Sequence, residues 1–414
     1  MKRNRRNARP SAAFAPVLFL LAVLAATAAA AGDQILLNAE IGGDIQHTRF
    51  VAFLSKKVDF RIFSIADPYR IVIDLPELDI QVPAEGRGLV VSSRSGLLSQ
   101  GKSRIVIDLA EPALVEKSEL LPPENDLPAR LVIELTRTSH RAYLAAAKVP
   151  PPVPRQEGAQ TAALPKDPED KRPVIVVDAG HGGLDAGAHG RVTNTPEKDV
   201  TFEFCKALAE KLEATGRYRV IQTRSLDVFV PLDERADLAV KQKADLLVSI
   251  HADALDIKRL GLKSVKEVRG GTIYTLSEEA SDEQAHALAQ NENKADVQAG
   301  VGSEQQAPAV SGEIGAILGD LENRSKKNWS LAIANYLIEH MKDKMKFNIR
   351  PRRSANLRVL KAPGVPAILI ELGYLSNDDD EQLLISPEWR ATTATSLAAA
   401  IDAFLSERQS QIRL

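Results

Sequence analysis

Two histidines and two glutamates stand where a fold can bring them together. His181 follows the run VIVVDAG (174–180), His251 follows LLVSI (246–250), and Glu371 follows AILI (367–370). Each run is apolar and rich in β-branched residues, which reads as a buried strand with a chemically capable side chain at its carboxyl end. In an open parallel sheet those ends share one rim, and ligands bind in the crevice there. Glu197 lies in TPEKD (195–199), where Thr195 reads as an N-cap and Pro196 as the first helical residue, so it falls in the first turn of a helix starting at the same rim. Two imidazoles and one carboxylate are the ligand type of a catalytic zinc that keeps a position open for water. Zinc lowers the pKa of such a water to about 7 and polarises a carbonyl; a further carboxylate must then take and return protons, a part that suits Glu371. Bland readings stand beside this one. A first-turn Glu also serves the helix dipole, and a lone strand-end His also serves as a hydrogen-bonded core residue. Spacing leaves both open, because the set lacks the local i, i+4 pair of HExxH. The remaining histidines (His47, His140, His189, His286 and His340) have no such context and read as ordinary.

The elements that must position these residues alternate. Val174–Val177, Arg219–Thr223, Leu246–Ile250, Thr272–Leu276 and Ala367–Ile370 read as strands, with helical patterns between them, such as Val200, Phe204, Ala207 and Leu208 at i, i+4, i+7 and i+8. Residues 173–414 are therefore expected to form an α/β domain, a mostly parallel sheet flanked by helices. Cys205, the one cysteine of the chain, falls among Phe204, Leu208 and Leu212 and reads as a small buried hydrophobe. With a single cysteine, no internal disulfide can form.

A different pattern precedes this domain. RIVIDL (70–75) returns as RIVIDL (104–109) and again as RLVIEL (130–135). Positions two, four and six are Ile or Leu, and positions one and five are charged, so each copy reads as a strand with one buried face. With strands near Thr48–Leu54 and Val58–Ile65, residues 33–138 are expected to be a small all-β sandwich; the repeats carry no cluster of His, Cys and carboxylates, which points to binding and not to reaction. Residues 139–172, Pro- and Ala-rich and poor in aromatics, read as an extended spacer. At the start, Lys2, Arg3, Arg5, Arg6 and Arg9 precede an apolar run from Val17 to Ala26 and the small residues Thr27 to Ala31. That is the pattern of a secretory signal peptide over 1–31, too short in its apolar part for a membrane span of ~18–20 residues. The Arg5-Arg6 pair leaves the export route open between the general and the twin-arginine pathways. Cleavage would take the formal net charge from −2 to −7 and leave a chain with no membrane span. No basic cluster is interleaved with aromatics, which excludes a nucleic-acid footprint.

The second domain resembles the zinc-dependent N-acetylmuramoyl-L-alanine amidases, the family known as Amidase_3. The resemblance rests on five ordered blocks: DAGHGGLDAGAHG (178–190), PEKDV (196–200), TRSLDVFVPLDERADLA (223–239), LLVSIHADA (246–254) and PAILIELGYLSN (366–377). It implies zinc ligands at His181, Glu197 and His251, a catalytic glutamate at Glu371, and hydrolysis of the amide between N-acetylmuramic acid and L-alanine in peptidoglycan. The N-terminal repeats resemble the AMIN domain, which implies targeting to the wall in the periplasm, often at the division site, and a part in wall remodelling and daughter-cell separation. The glycines around His181 (Gly180, Gly182 and Gly183) are expected to let a bulky glycan–peptide approach the metal.

Residues 277–328 read as an inserted, mostly helical segment. Ser281-Asp282-Glu283-Gln284 reads as a capping box, after which Ala285, Leu288, Ala289 and Glu292 share one helix face. A carboxylate on an apolar stripe is out of place unless something inside takes it. Division amidases of the family can carry a regulatory helix whose glutamate occupies the open zinc position until an activator, of the LytM type, removes it; Glu292 resembles that residue, with 300–312 as its hinge. The plain alternative is a partly exposed Glu at a helix end. Two rival functions remain at this point: a zinc carboxypeptidase or deacetylase acting on another wall substrate, and a non-catalytic wall-binding division scaffold.

Overall fold

The computed structural model of the chain describes residues 38–79, 81–125, 127–147, 170–255, 268–301 and 313–412. The leader 1–31, most of the spacer, and residues 302–312 of the expected hinge lie outside the described residues.

Period-two alternation in the first part gives eight strands: β1 (Asn38–Gly43), β2 (His47–Leu54), β3 (Arg61–Ile65), β4 (Arg70–Pro76), β5 (Val90–Ser99), β6 (Lys102–Leu109), β7 (Ala113–Leu121) and β8 (Ala129–Arg137). They form two four-stranded sheets, β1-β2-β8-β7 and β3-β4-β6-β5, and every pairing is antiparallel. Phe50, Ile71, Ile73, Ile105, Ile107, Leu131 and Ile133 fill the space between them. The three repeats become β4, β6 and β8. In β8 one face is buried, as the alternation requires: Leu131, Ile133 and Leu135 are covered, while Arg130, Val132 and Glu134 are partly exposed. In β4 and β6 the expectation of a single buried face is wrong. Val72 and Val106, on the outer face, are fully buried, because Leu184, Phe229 and Ala299 of the second half cover them.

The spacer also begins later than its composition suggests. Helix α1 (His140–Ala146) is capped by Ser139, whose side chain accepts from the Ala142 amide, and it buries Tyr143 in the sandwich core. The Tyr143 hydroxyl accepts from the Arg70 amide at 2.9 Å and lies 2.8 Å from the Ile65 carbonyl and 2.7 Å from that of Arg70. One aromatic in an Ala-rich stretch is enough to dock it.

Six strands build the second sheet: β9 (Val174–Ala179), β10 (Arg219–Gln222), β11 (Leu246–His251), β12 (Gly271–Leu276), β13 (Phe347–Ala355) and β14 (Ala367–Glu371), in the order β10-β9-β11-β14-β12-β13. The pairings from β10 through β14 are parallel, β12 runs antiparallel to β14, and β13 runs parallel to β12. Strand β13 is not legible in the sequence: FNIRPRRSA carries three arginines and a proline, which an edge strand tolerates and a central one does not. On one face of the sheet, α2 (Glu197–Glu213), α6 (Glu313–Met341) and α8 (Pro387–Ile412) pack Phe204, Leu208, Leu337 and Ile401 against Ile175, Val177 and Ile250. On the other, α3 (Leu232–Lys241) and α4 (Glu283–Glu292) pack Leu238, Ala285 and Leu288 near Val176, Leu247 and Leu369. The short α5 (Ala295–Gln298) follows α4, and α7 (Asp378–Ile385) precedes α8. Cys205 is buried in the α2 face of the core.

Two helix starts differ from the sequence reading. Helix α2 begins at Glu197, with Pro196 and not Thr195 at the cap and no side-chain bond there. Its first amides are satisfied by loop backbone instead: Glu197 N–H donates to Ala188 O and Lys198 N–H to Ala186 O. In α4 the cap is Asp282, which accepts from Ala285 N–H, while Ser281 exchanges hydrogen bonds with Ser354 on β13.

Candidate metal centre

Strand β9 ends in a turn in which His181 adopts a left-handed backbone conformation (φ 59°), and this aims its ring back over the rim. Strands β11 and β14 lie side by side with His251 opposite Glu371, and β11 lies against β9. The first turn of α2 brings in Glu197. His181, Glu197 and His251 are all buried, and their candidate ligand atoms lie within 4.8 Å of one another. His181 Nε2 is 3.1 Å from Glu197 Oε2, and His251 Nδ1 is 3.4 Å from Glu197 Oε1. Neither of those two nitrogens has a hydrogen-bond partner. Two buried imidazole nitrogens that lie against carboxylate oxygens without a well-formed hydrogen bond, aimed at one point, fit a zinc ion by donor type and by need.

The surroundings orient each donor. Asp185 Oδ2 lies 2.9 Å from His181 Nδ1, which fixes that proton on Nδ1 and leaves Nε2 as the free donor. Asp185 in turn accepts from the Gly187 amide. Glu197 accepts from Ala188 N–H at 2.9 Å and Ala252 N–H at 2.8 Å, one on each oxygen. Sequence reasoning missed Asp185; its signal was the i, i+4 spacing to His181 inside the GHGGLD run. A buried base below the rim was missed as well. Asp178 is paired with Arg235 at 2.9 Å and accepts from Thr223 and Ser249, while Arg235 also donates to the carbonyls of Ala179 and His181. This network fixes the backbone of the His181 turn.

Glu371 is fully buried; its Oε2 accepts from Asp253 N–H at 3.0 Å, and its Oε1 has no partner. Glu292 points into the same space: its Oε2 is 3.2 Å from His251 Nδ1 and 3.7 Å from His181 Nε2. The apolar stripe that singled it out is buried together with it, Ala285, Leu288 and Ala289 included. Glu292 is thus not a partly exposed helix end.

Charge in the site is unbalanced. Burial alone would push the His181 imidazole down, but Glu197, Asp185 and Glu292 outweigh it and hold its pKa well above the usual histidine value. Burial pushes Glu197 up, yet His181 and His251 take it well below the ordinary carboxylate range. Burial, reinforced first by Asp253 and then by Glu197 and Glu292, drives Glu371 well above that range. Asp253 is raised likewise by burial, Glu292 and Glu197. Carboxylates outnumber imidazoles around one point, the electrostatic condition that a divalent cation relieves.

The glycines around His181 serve protein packing, against the expectation of substrate access. A Cβ on Gly180 would lie 2.5 Å from the His251 ring, one on Gly182 would collide with the Val228 carbonyl, and one on Gly183 with the Leu97 carbonyl of the sandwich.

A mixed α/β sheet with a His–Glu–His cluster at its carboxyl rim, preceded by a β-sandwich, defines the class. The profile of the N-acetylmuramoyl-L-alanine amidase family (Amidase_3) matches residues 175–403, and the chain belongs to that family. N-acetylmuramoyl-L-alanine amidase AmiC from a strain of Escherichia coli is 27% identical over 419 residues, covering 95% of this chain and 94% of its own. N-acetylmuramoyl-L-alanine amidase AmiA from Escherichia coli K12 is 34% identical over 229 residues, covering 55% of this chain and 74% of its own. Among solved structures, the catalytic domain of the amidase CwlV from Bacillus (Paenibacillus) polymyxa is similar at 23% identity and a TM-score of 0.40, covering 56% of this chain and 98% of that one.

Proposed function

We propose that the chain is an exported, zinc-dependent amidase that hydrolyses the bond between N-acetylmuramic acid and L-alanine of peptidoglycan, and that it rests in a self-inhibited state. The observation that carries the reading is the pair of buried nitrogens without a well-formed hydrogen bond, His181 Nε2 and His251 Nδ1, converging with Glu197. These three residues would hold the zinc, and Asp185 would set the tautomer of His181. When bound, the metal supplies a water of lowered pKa and polarises the scissile carbonyl. Glu371 takes a proton from the attacking water and returns it to the leaving amine of L-alanine. Its burial suits that part, because a desolvated carboxyl is raised above the ordinary carboxylate range and is a stronger base than one in water. Glu292 occupies the space that water and substrate need, so α4 must lift before turnover. The sandwich is an AMIN-type targeting domain, the protein works in the periplasm during wall remodelling and daughter-cell separation, and a LytM-type partner lifts α4 by binding the open state more tightly.

Zinc-loaded native and Glu292→Ala proteins, incubated with purified sacculi, test this by mass spectrometry of the released material. The expected products of Glu292→Ala are stem peptides with a free L-alanine amino group and glycan strands stripped of peptide. Release of only a terminal amino acid or of acetate would instead establish a carboxypeptidase or a deacetylase. A zinc-bound, folded Glu292→Ala protein that releases nothing would leave the scaffold reading.

A further inference from the structure

The sandwich touches the chain around the metal site in two places. One joins the turn after His181 and the loop before α3: the Leu97 carbonyl on β5 accepts from Leu184 N–H at 3.3 Å and from Phe229 N–H at 3.2 Å. The other is the chain that leaves α4 and α5, six to eight residues beyond Glu292. Arg94 Nε donates to the Gln298 carbonyl at 2.7 Å, and Arg104 Nη1 donates to the Gly300 carbonyl at 2.9 Å and approaches that of Ala299 at 3.3 Å. Ala299 itself sits in the apolar cluster formed by Val72, Val106, Leu98 and Phe63 of the sandwich. These guanidiniums are held in place by their own domain, Arg94 by Asp108 and Arg104 by Asp74.

The repeats make the asymmetry visible. The same third position is valine in all three copies, partly exposed as Val132 in β8 and buried as Val72 and Val106 in β4 and β6. Alternation within the sandwich does not require that burial; docking produces it. The outer face of the β3-β4-β6-β5 sheet is therefore committed to the catalytic half, and to the segment that ends the blocking helix in particular.

We propose that the sandwich is a second lock on the metal site: by holding the carbonyls of Gln298, Ala299 and Gly300 it keeps α5 down, and through α5 it keeps Glu292 over His181 and His251. The proposal rests on the reading that Glu292 closes the site. Its consequence is linkage. Any event that undocks this face of the sandwich raises the population of the open site, and whatever lifts α4 weakens the docking by the same factor. The contact to Leu184 and Phe229 acts differently, since it supports the His181 turn. Deleting the whole sandwich would remove support and lock together, so point changes on the lock are the informative ones.

The full-length, zinc-loaded chain carrying Arg94→Ala with Val106→Gln tests this, with Val132→Gln on the free sheet as the control. Hydrogen exchange of residues 283–301 is read alongside basal hydrolysis of sacculi. Losing the lock should speed both by about tenfold, the factor that about 1.4 kcal/mol represents, while the control stays at the native rate. Where the double variant fails to fold, Arg94→Ala alone replaces it, since this partly exposed guanidinium donates to the Gln298 carbonyl from the sandwich side of the contact. Native protection of 283–301 in the folded variants overturns the lock. If Glu292→Ala is active and the sandwich variants stay silent, the lock fails and the amidase reading stands. If Glu292→Ala is silent too, that reading has failed, and the exchange rates alone decide the lock.

Discussion

His251 and Glu371 face each other across β11 and β14 in register, so their side chains leave the same side of the sheet at its carboxyl rim. That pairing puts the proposed proton carrier next to a proposed metal ligand without making it one. The Asp253 amide holds one oxygen of Glu371 and the other is left free. In a Glu292→Ala background, His251→Ala is therefore expected to lose zinc and activity together, whereas Glu371→Gln keeps zinc and loses turnover by about 10²–10⁴-fold. Metal content by mass spectrometry beside a sacculus assay separates the two; zinc lost from Glu371→Gln as fully as from His251→Ala would contradict the assigned roles.

Asp185 acts through His181 and not on substrate. Asp185→Ala should weaken zinc binding by about 10–100-fold, because the imidazole loses the partner that fixes its tautomer and orientation. Competition with a chelator measures it. Asp185→Asn should fall between, since an amide oxygen still accepts from Nδ1–H; equal affinities for all three proteins would remove the orienting role.

The buried Asp178–Arg235 pair gives an acid-labile element. Burial pushes Asp178 up, but Arg235, Ser249 and Thr223 outweigh it and leave its carboxyl below the ordinary value. A carboxyl depressed in the folded state contributes stability that is full above its unfolded pKa of about 3.9 and is lost as pH falls through the lower, folded value. Asp178→Asn strands the Arg235 charge and should cost about 3–5 kcal/mol at neutral pH. Denaturant unfolding at neutral and at acid pH tests both parts: the gap between native and variant should narrow on the acid side, and a gap that widens there would reverse the argument.

Tyr143 makes α1 part of the sandwich. Tyr143→Ala removes a fully buried ring and a hydroxyl with three backbone neighbours, which should cost about 3–5 kcal/mol. A fragment ending at 147 should accordingly unfold at a higher temperature than one ending at 138, and only the longer should sediment with sacculi as a folded domain. Equal melting temperatures would return α1 to the spacer.

The parts of this fold that were legible share a physical cause. Strands β9, β11 and β14 are buried on both faces, so they appear as continuous apolar runs, and the polar residue ending each run marks the rim. Glu292 was legible because a carboxylate interrupts an apolar stripe. What escaped depends on tertiary contact. Strand β13 lies at an edge and carries the arginines an edge accepts; Asp185 matters only because the turn folds it onto His181; Val72 and Val106 repeat the pattern of Val132 and differ from it only in what the catalytic half lays over them.

One metal ion, held by His181, Glu197 and His251 and covered by Glu292, is the centre of the proposed mechanism. Diffraction at the zinc absorption edge, from crystals of the zinc-loaded native chain, tests it most directly. The expected result is one anomalous peak about 2.0–2.2 Å from His181 Nε2, His251 Nδ1 and a Glu197 oxygen, with the Glu292 carboxylate in the fourth position. No peak at that point, or a peak bound by Glu371 in place of Glu197, would contradict the account.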